Sequence, residues 1–170
     1  PHELKKKLTY FLHNGYDADM VTAKLRPLQR VEYLGKLLEA GAKIDLEDLY
    51  AQLDISHQLR FFSKLQKRGA ELDADELAGN LTPILKLDNF DTLESIGASI
   101  TADELDSKLR DEEKFEHLAD LTYFGGTIDA DTLIKTLEPK LDGYALADYL
   151  RAGAKTETLM PRLVLDLSCK

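Results

Sequence analysis

The sequence predicts an all-α protein built as an α-solenoid, a row of stacked helix-turn-helix repeats of 28 residues. Two observations predict this class. Glycine recurs at a constant interval of 28 residues, and apolar residues lie three or four positions apart between these glycines. The interval is marked by Gly41, Gly69, Gly97, Gly125 and Gly153. A fixed period between about 20 and 50 residues is typical of repeat proteins, whose neighbouring units share one core.

The interval divides the chain, which we expect to form a single helical repeat domain over residues 1–170. Full units span 41–68, 69–96, 97–124 and 125–152, with partial units at 1–40 and 153–170. The first partial region holds a helix around Leu4 to Leu12 and a unit that matches the others once two residues are deleted. We expect the chain to be a segment of a longer protein.

The first helix of each unit is predicted from leucines at the ninth and thirteenth positions, which fall on one helical face. These leucines are Leu49, Leu77, Leu105 and Leu133, and Leu53, Leu81, Leu109 and Leu137. The fifth position holds good N-cap residues, Asp45, Asp73, Thr101 and Asp129. Glu76 and Glu104 follow two of these caps in the capping-box pattern. The first helix should therefore run from just after position five to about position 14.

The second helix is predicted from apolar residues at positions 19, 22 and 25, such as Leu59, Phe62 and Leu65. Position 15 is proline in alternate units, at Pro27, Pro83 and Pro139. Proline suits the first turn of a helix, where its missing N–H is not needed. The glycine that opens the next unit ends this helix, so we interpret it as structural and not as a phosphate-binding residue.

The junctions LGKLLEAGAKID and LQKRGAELD resemble the end of an ankyrin unit. The resemblance covers only the end of each second helix. Ankyrin units are longer, about 33 residues, and carry a Thr-Pro-Leu-His signature that is missing from this sequence. The resemblance therefore implies a short helical-pair repeat, and it transfers no ankyrin binding residue to this chain.

Charge narrows the classes of partner. The chain has 31 acidic and 22 basic residues, a formal charge of -9 and a pI near 4.9, which disfavours binding to nucleic-acid phosphates. Candidates for a local basic strip are Lys5, Lys6, Lys7, Lys64, Lys67 and Arg68. No apolar run reaches 18 residues, so we expect no membrane segment. With one cysteine, Cys169, and no targeting signal, we expect a cytoplasmic monomer.

Residues for catalysis are scattered. The four histidines, His2, His13, His57 and His117, do not form the helical spacing of a metal site, and we expect the last two to be partly buried. Paired carboxylates such as Asp129 and Asp131 recur from unit to unit, which indicates a structural task. We therefore expect no enzymatic activity, no metal and no cofactor in this segment.

Positions that vary between units while the core does not are the candidate binding residues. The set consists of Lys24, Tyr50, Gln52, Asn80, Lys108, Ile134 and Thr136, with Tyr50 and Ile134 expected to be exposed apolar contacts. The leading interpretation is a protein or peptide interaction scaffold. Two alternatives stay open: a single-stranded nucleic-acid module that reads one base per unit, and an architectural spacer between domains of a larger protein. Drift at exposed positions that contact nothing would explain any single residue equally well.

Overall fold

The computed structural model describes residues 2–137 and 143–162 of the chain. In these two ranges the protein consists of helices and short connections without any β-strand, so the predicted all-α class is confirmed. The solenoid stacking and the 28-residue unit stay predictions. The chain packs as two compact units, Pro1–Leu77 and Ala78–Lys170.

The helices are short. Up to the boundary between the units they are α1 His2–His13, α2 Ala18–Ala23, α3 Pro27–Glu32, α4 Leu34–Glu39, α5 Leu46–Ala51, α6 Ile55–Gln66 and α7 Ala74–Gly79, which contains the boundary. After it come α8 Pro83–Asp88, α9 Phe90–Ser95, α10 Ala102–Lys108, α11 Asp111–Glu116, α12 Leu118–Tyr123, α13 Ala130–Leu137, α14 Gly143–Arg151 and α15 Thr156–Leu159. A 3-10 turn, Met160–Arg162, follows.

Side-chain caps start the helices where the sequence predicts them. Asp45 accepts a hydrogen bond from the N–H of Asp48 at 2.9 Å, and Thr101 accepts one from the N–H of Glu104 at 3.2 Å. Asp73 and Asp129 cap α7 and α13 in the same way. Pro27 and Pro83 are the first residues of α3 and α8, as predicted, whereas Pro139 lies outside the described residues.

The predicted second helix is kinked in several units. It is interrupted by one residue at Tyr33, Asn89 and His117, whose φ angles are -100°, -117° and -109°. The backbone hydrogen bond of 2.9 Å from the Leu93 N–H to the Asn89 carbonyl carries the helix past the kink. Only α6 runs through the corresponding position without interruption among α3 to α12. The predicted second helix therefore consists of two short helices in these units.

Glycine ends these helices in the left-handed conformation. Gly97 has φ +93°, and the following N–H of Ala98 bonds to the Leu93 carbonyl at 2.9 Å, closing the helix end. The alanine after the glycine is buried. At Gly125 the alanine is replaced by Gly126, because a Cβ there would lie 2.9 Å from the Leu121 carbonyl oxygen.

Leucine packing fills the interior of each compact unit. In the first, Leu49 and Leu53 of α5 form one apolar cluster with Leu65 of α6 and Val31 of α3. In the second, Leu105 and Leu109 of α10 cluster with Leu87, Phe90 and Leu121. The ninth- and thirteenth-position leucines are buried as predicted, except that Leu137 is only partly buried.

Acidic residues in the first turns of several helices accept hydrogen bonds from the chain 24 residues further on. The Asp103 carboxylate accepts hydrogen bonds from the N–H and the hydroxyl of Thr127, both at 2.8 Å. The same backbone bond joins Lys43 to Asp19 at 2.7 Å, Glu71 to Glu47 at 2.7 Å and Lys155 to Asp131 at 2.8 Å. Each donor lies two residues after a left-handed glycine. This contact supports the structural task expected for the recurring carboxylates.

Replacing Gly97 with alanine should destabilise the protein by about 1 to 2 kcal/mol, because an L-residue is disfavoured at positive φ. Gly79, which ends α7 without positive φ and with open space around its Cα, is the matched control. Gly79→Ala should leave stability unchanged or raise it by up to about 1 kcal/mol. Urea unfolding followed by circular dichroism measures both changes, and equal destabilisation by the two variants would contradict this account.

Replacing Asp103 with alanine should lower the thermal midpoint at neutral pH. The bonds from Thr127 hold the pKa of Asp103 below its ordinary value of 3.8. The carboxylate therefore stabilises the fold above that value, and this contribution is lost as the pH falls through the lowered pKa. The midpoints of the variant and the parent chain should converge under acid conditions in a thermal scan at several pH values. Exposed Glu94→Ala is the control, for which we expect a pH-independent difference near zero.

Candidate functional site

Most of the predicted binding row is exposed. The exposed members are Lys24, Gln52, Asn80, Lys108 and Thr136. Three of them bond within their own helix: Gln52 donates to Asp48 at 2.7 Å, Lys108 pairs with Glu104, and the Thr136 hydroxyl donates to the Thr132 carbonyl at 2.9 Å. These side chains are available at the surface, and whether they contact a partner stays a prediction.

The predicted exposure of Ile134 and Tyr50 is wrong. Ile134 is 0% exposed and packs with Leu118 and Tyr149, and Tyr50 is partly buried against the cluster around Leu49. The physical reason is helical geometry. Position 10 of a unit lies three residues before the buried leucine at position 13 and therefore shares its face. That spacing is visible in the sequence and could have identified both residues as part of the interior.

Tyr50 carries a polar group into this interior. Its ring packs edge-on against Phe62, with 6.0 Å between ring centroids, and its hydroxyl is buried without a hydrogen-bond partner among the described residues. Burial, with a smaller contribution from the Glu76 carboxylate, raises the pKa of Tyr50 to about 12. Such a hydroxyl costs stability and does not resemble a prepared binding group.

An apolar groove lies between α1 and α2. It has a volume of about 380 Å³ and is lined by Lys7, Leu8, Phe11, Tyr16, Asp17, Met20, Val21, Lys24 and Leu25. Leu8 and Leu25 are buried at its base. Phe11, Tyr16 and Met20 remain 38%, 56% and 68% exposed. Of the predicted binding row, Lys24 is the member that lines this groove.

Local interactions build the groove. Gly15, with φ +74°, turns the chain back after α1, and Asp17 caps α2 by accepting from the N–H groups of Asp19 and Met20. The rings of Phe11 and Tyr16 meet edge to face with centroids 5.1 Å apart. The two aromatic rings therefore form a common wall opposite Met20. The sequence-based prediction missed this wall, because its candidate binding residues were taken only from the first helix of each unit.

Two lysines and one aspartate line the groove, in contrast to the net charge of -9 of the whole chain. Lys7 and Lys24 line it, and Lys5 and Lys6 are exposed on α1. Lys7 also forms an exposed ion pair with Glu3 at 2.8 Å. Apolar walls with lysines beside them suit a ligand that presents apolar side chains flanked by carboxylates.

The other predicted basic residues do not form a comparable site. Lys64 is half-buried, and its ammonium group donates to the carbonyl of Val31 at 2.6 Å, next to the kink between α3 and α4. Burial lowers the pKa of Lys64. The ammonium group of Lys64 is thus already bonded to backbone carbonyl groups, which leaves Lys67 and Arg68 as the exposed cations at that end of α6.

The histidines and carboxylates of the described residues show no grouping suited to a metal. His57 and His117 are partly buried, as predicted, and each lies next to one aspartate, Asp54 and Asp120, at 2.5 Å and 3.5 Å. Within the described ranges no cluster of three or more metal-ligating side chains is present. Among the helices of those ranges, none has the length and apolar character needed to cross a membrane.

Comparisons with known proteins returned no match: no family model, no curated protein and no solved structure resembles this chain. The class of the protein is therefore defined by its own fold and site. It is an all-α protein with an exposed apolar groove between two of its helices.

Replacing Tyr50 with phenylalanine should leave stability unchanged or raise it by up to about 1 kcal/mol at neutral pH, since the unpaired buried hydroxyl is removed. Above pH 10 the advantage should grow. The folded-state pKa of about 12 exceeds the ordinary 10.0, so the parent chain loses stability as the pH rises through the unfolded value. Urea unfolding at neutral and alkaline pH measures this, with exposed Tyr123→Phe as the control. A clear loss of stability in Tyr50→Phe would show that the hydroxyl has a partner.

Proposed function

We propose that this chain is a protein-interaction module that binds a protein segment in the groove between α1 and α2. The observation that carries the proposal is the exposure of Phe11, Tyr16 and Met20 side by side on one concave surface. Single exposed apolar residues are common, but a contiguous apolar depression lined by polar side chains marks an interaction site. Aromatic residues and methionine are enriched in the central parts of such interfaces.

The chemistry of the groove favours protein over nucleic acid. Bases could stack on Phe11 or Tyr16, but a phosphate backbone also needs a continuous basic track, and the chain is acidic overall. Carboxylates of a protein ligand can pair with Lys7 and Lys24 while its apolar side chains enter the groove. No observation favours the nucleic-acid module or the spacer. The proposed role requires no catalysis or cofactor and fits the predicted cytoplasmic monomer.

The size of the groove sets a limit on affinity. Fully burying one large apolar side chain contributes about 1.5 to 3 kcal/mol, and Phe11, Tyr16 and Met20 are already partly covered. After the cost of association, groove contacts alone would give weak binding. A tight complex would therefore need a ligand that also contacts exposed residues outside the groove.

A photo-crosslinking amino acid at position 20 should form a discrete adduct with a protein in cell lysate, because Met20 faces the groove. The same amino acid at Tyr123, which is 79% exposed and distant in sequence, is the matched control. The adduct should resist nuclease and should fall at least tenfold when Tyr16→Ser and Lys24→Glu are added.

Circular dichroism should show unchanged helicity in these variants, since both side chains are exposed. Identical adducts at positions 20 and 123, or none at position 20, would count against the proposed site. An adduct that disappears with nuclease would favour the nucleic-acid interpretation instead.

A further inference from the structure

The walls of the groove have counterparts elsewhere in the chain. Phe11 lies four residues before the left-handed Gly15, and Tyr16 lies immediately before the cap residue Asp17. The pairs at the same two positions around later glycines and caps are Leu37 with Ile44, Leu65 with Leu72, Leu93 with Ile100, and Leu121 with Ile128. What covers these pairs indicates what fits against Phe11 and Tyr16.

The first of these pairs is covered by a helix. Leu37 and Ile44 belong to one apolar cluster with Ala18 and Val21 of α2 and with Leu25, two residues after α2. These three apolar residues lie three and four positions apart along the chain, which is the spacing of one helical face. A short helix that precedes the pair in the chain thus supplies its cover.

The same arrangement occurs twice more. Leu65 and Leu72 cluster with Leu49 of α5 and with Leu53, two residues after α5, in the first compact unit. In the second compact unit, Leu121 and Ile128 cluster with Leu105 of α10 and with Leu109, the residue after α10. In both cases the covering residues are two leucines four positions apart, one on a short helix and one just after its end.

At the α1 and α2 groove the cover is missing and the walls are exposed. Phe11 lies at the same position before a glycine, and Tyr16 at the same position before a cap residue, as the members of the three covered pairs. A helix with two apolar residues four positions apart therefore suits the groove better than an extended strand, whose side chains alternate between two faces.

The lysines beside the groove indicate which residues the ligand helix carries outside its apolar face. Lys7 and Lys24 line the groove. Acidic residues on the ligand, outside its apolar face, would be attracted to these lysines. Covering helices within the chain already have such acidic first turns, as α10 does with Asp103 and Glu104.

A second copy of this chain does not offer a free helix of this kind among its described residues. The leucines that would enter the groove are buried within their own compact unit: Leu49, Leu77, Leu105 and Leu133 are 2%, 2%, 1% and 6% exposed. Releasing any of them would require local unfolding. A second copy of this chain is therefore not expected to fill the groove.

We propose that the groove between α1 and α2 binds an amphipathic helix of another protein that presents two apolar residues four positions apart and carries acidic residues beside them. This rests on the function proposed above and adds the secondary structure and charge of the ligand. The binding mode is a helix lying with its apolar face in a groove.

A direct test uses a labelled peptide that copies residues 71–82, ELDADELAGNLT, with Gly79 replaced by alanine and a hydrocarbon cross-link opposite the leucines to hold the helix. This peptide carries Leu77 and Leu81, four positions apart, and four carboxylates. Fluorescence anisotropy with the full chain should show saturable binding with a Kd on the order of 10 to 100 µM. Rising salt should weaken the binding, because the lysines contribute.

Three matched comparisons locate and define the interaction. A peptide with Leu77 and Leu81 replaced by serine should bind at least tenfold more weakly. The chain variant Met20→Glu should lose affinity by at least tenfold, whereas Tyr123→Ser should keep it. A peptide without the cross-link and with proline in place of Ala78, which cannot form the helix, should also bind at least tenfold more weakly.

The outcomes separate this proposal from the one on which it rests. Either of two results would overturn the helical ligand and leave the groove as the site. One is equal binding of the proline peptide. The other is no binding of the helical peptide while the crosslink at position 20 still captures a protein. Loss of both the peptide binding and the crosslink would overturn the proposed function too. A concentration-dependent dimer that Met20→Glu dissociates in sedimentation would identify a second copy as the occupant and overturn the proposal.

Discussion

The left-handed glycine at the helix ends is the constraint on which the rest of the structure depends. With φ near +90°, Gly41, Gly69 and Gly97 let the chain leave a helix abruptly, which no L-residue does without strain. The residue that follows enters the interior, and the next N–H meets a carboxylate 24 residues earlier wherever that bond is observed, as between Glu71 and Glu47. One backbone conformation therefore sets both a buried position and a long-range hydrogen bond.

Leucine packing then decides which variable positions are interior. Position 10 shares the face of the position-13 leucine, and its occupants Thr22, Tyr50, Ala78, Asp106 and Ile134 are all buried or partly buried. Sequence variation at this position thus reflects local packing, and the unpaired hydroxyl of Tyr50 shows that the fit is imperfect.

The candidate site arises from the same packing pattern where it is incomplete. Elsewhere an aliphatic pair such as Leu37 and Ile44 is covered by a preceding helix, whereas Phe11 and Tyr16 are not. Larger, aromatic side chains occupy the uncovered positions, and lysines surround them in an otherwise acidic chain. An apolar surface with lysines beside it selects a ligand by its shape and charge, and this needs no catalytic group.

The sequence by itself determined the helical class, the caps at Asp45 and Thr101, and the left-handed glycines, because these depend on interactions among residues within about five positions of one another. Of the candidate site it identified only Lys24, as a member of the binding row, and Lys7, as a candidate for a basic strip. The carboxylate bonds across 24 residues and the exposure of Phe11 were decided by the tertiary structure alone. The physical reason is that burial and long-range hydrogen bonds depend on which distant surfaces meet, and local spacing does not encode that.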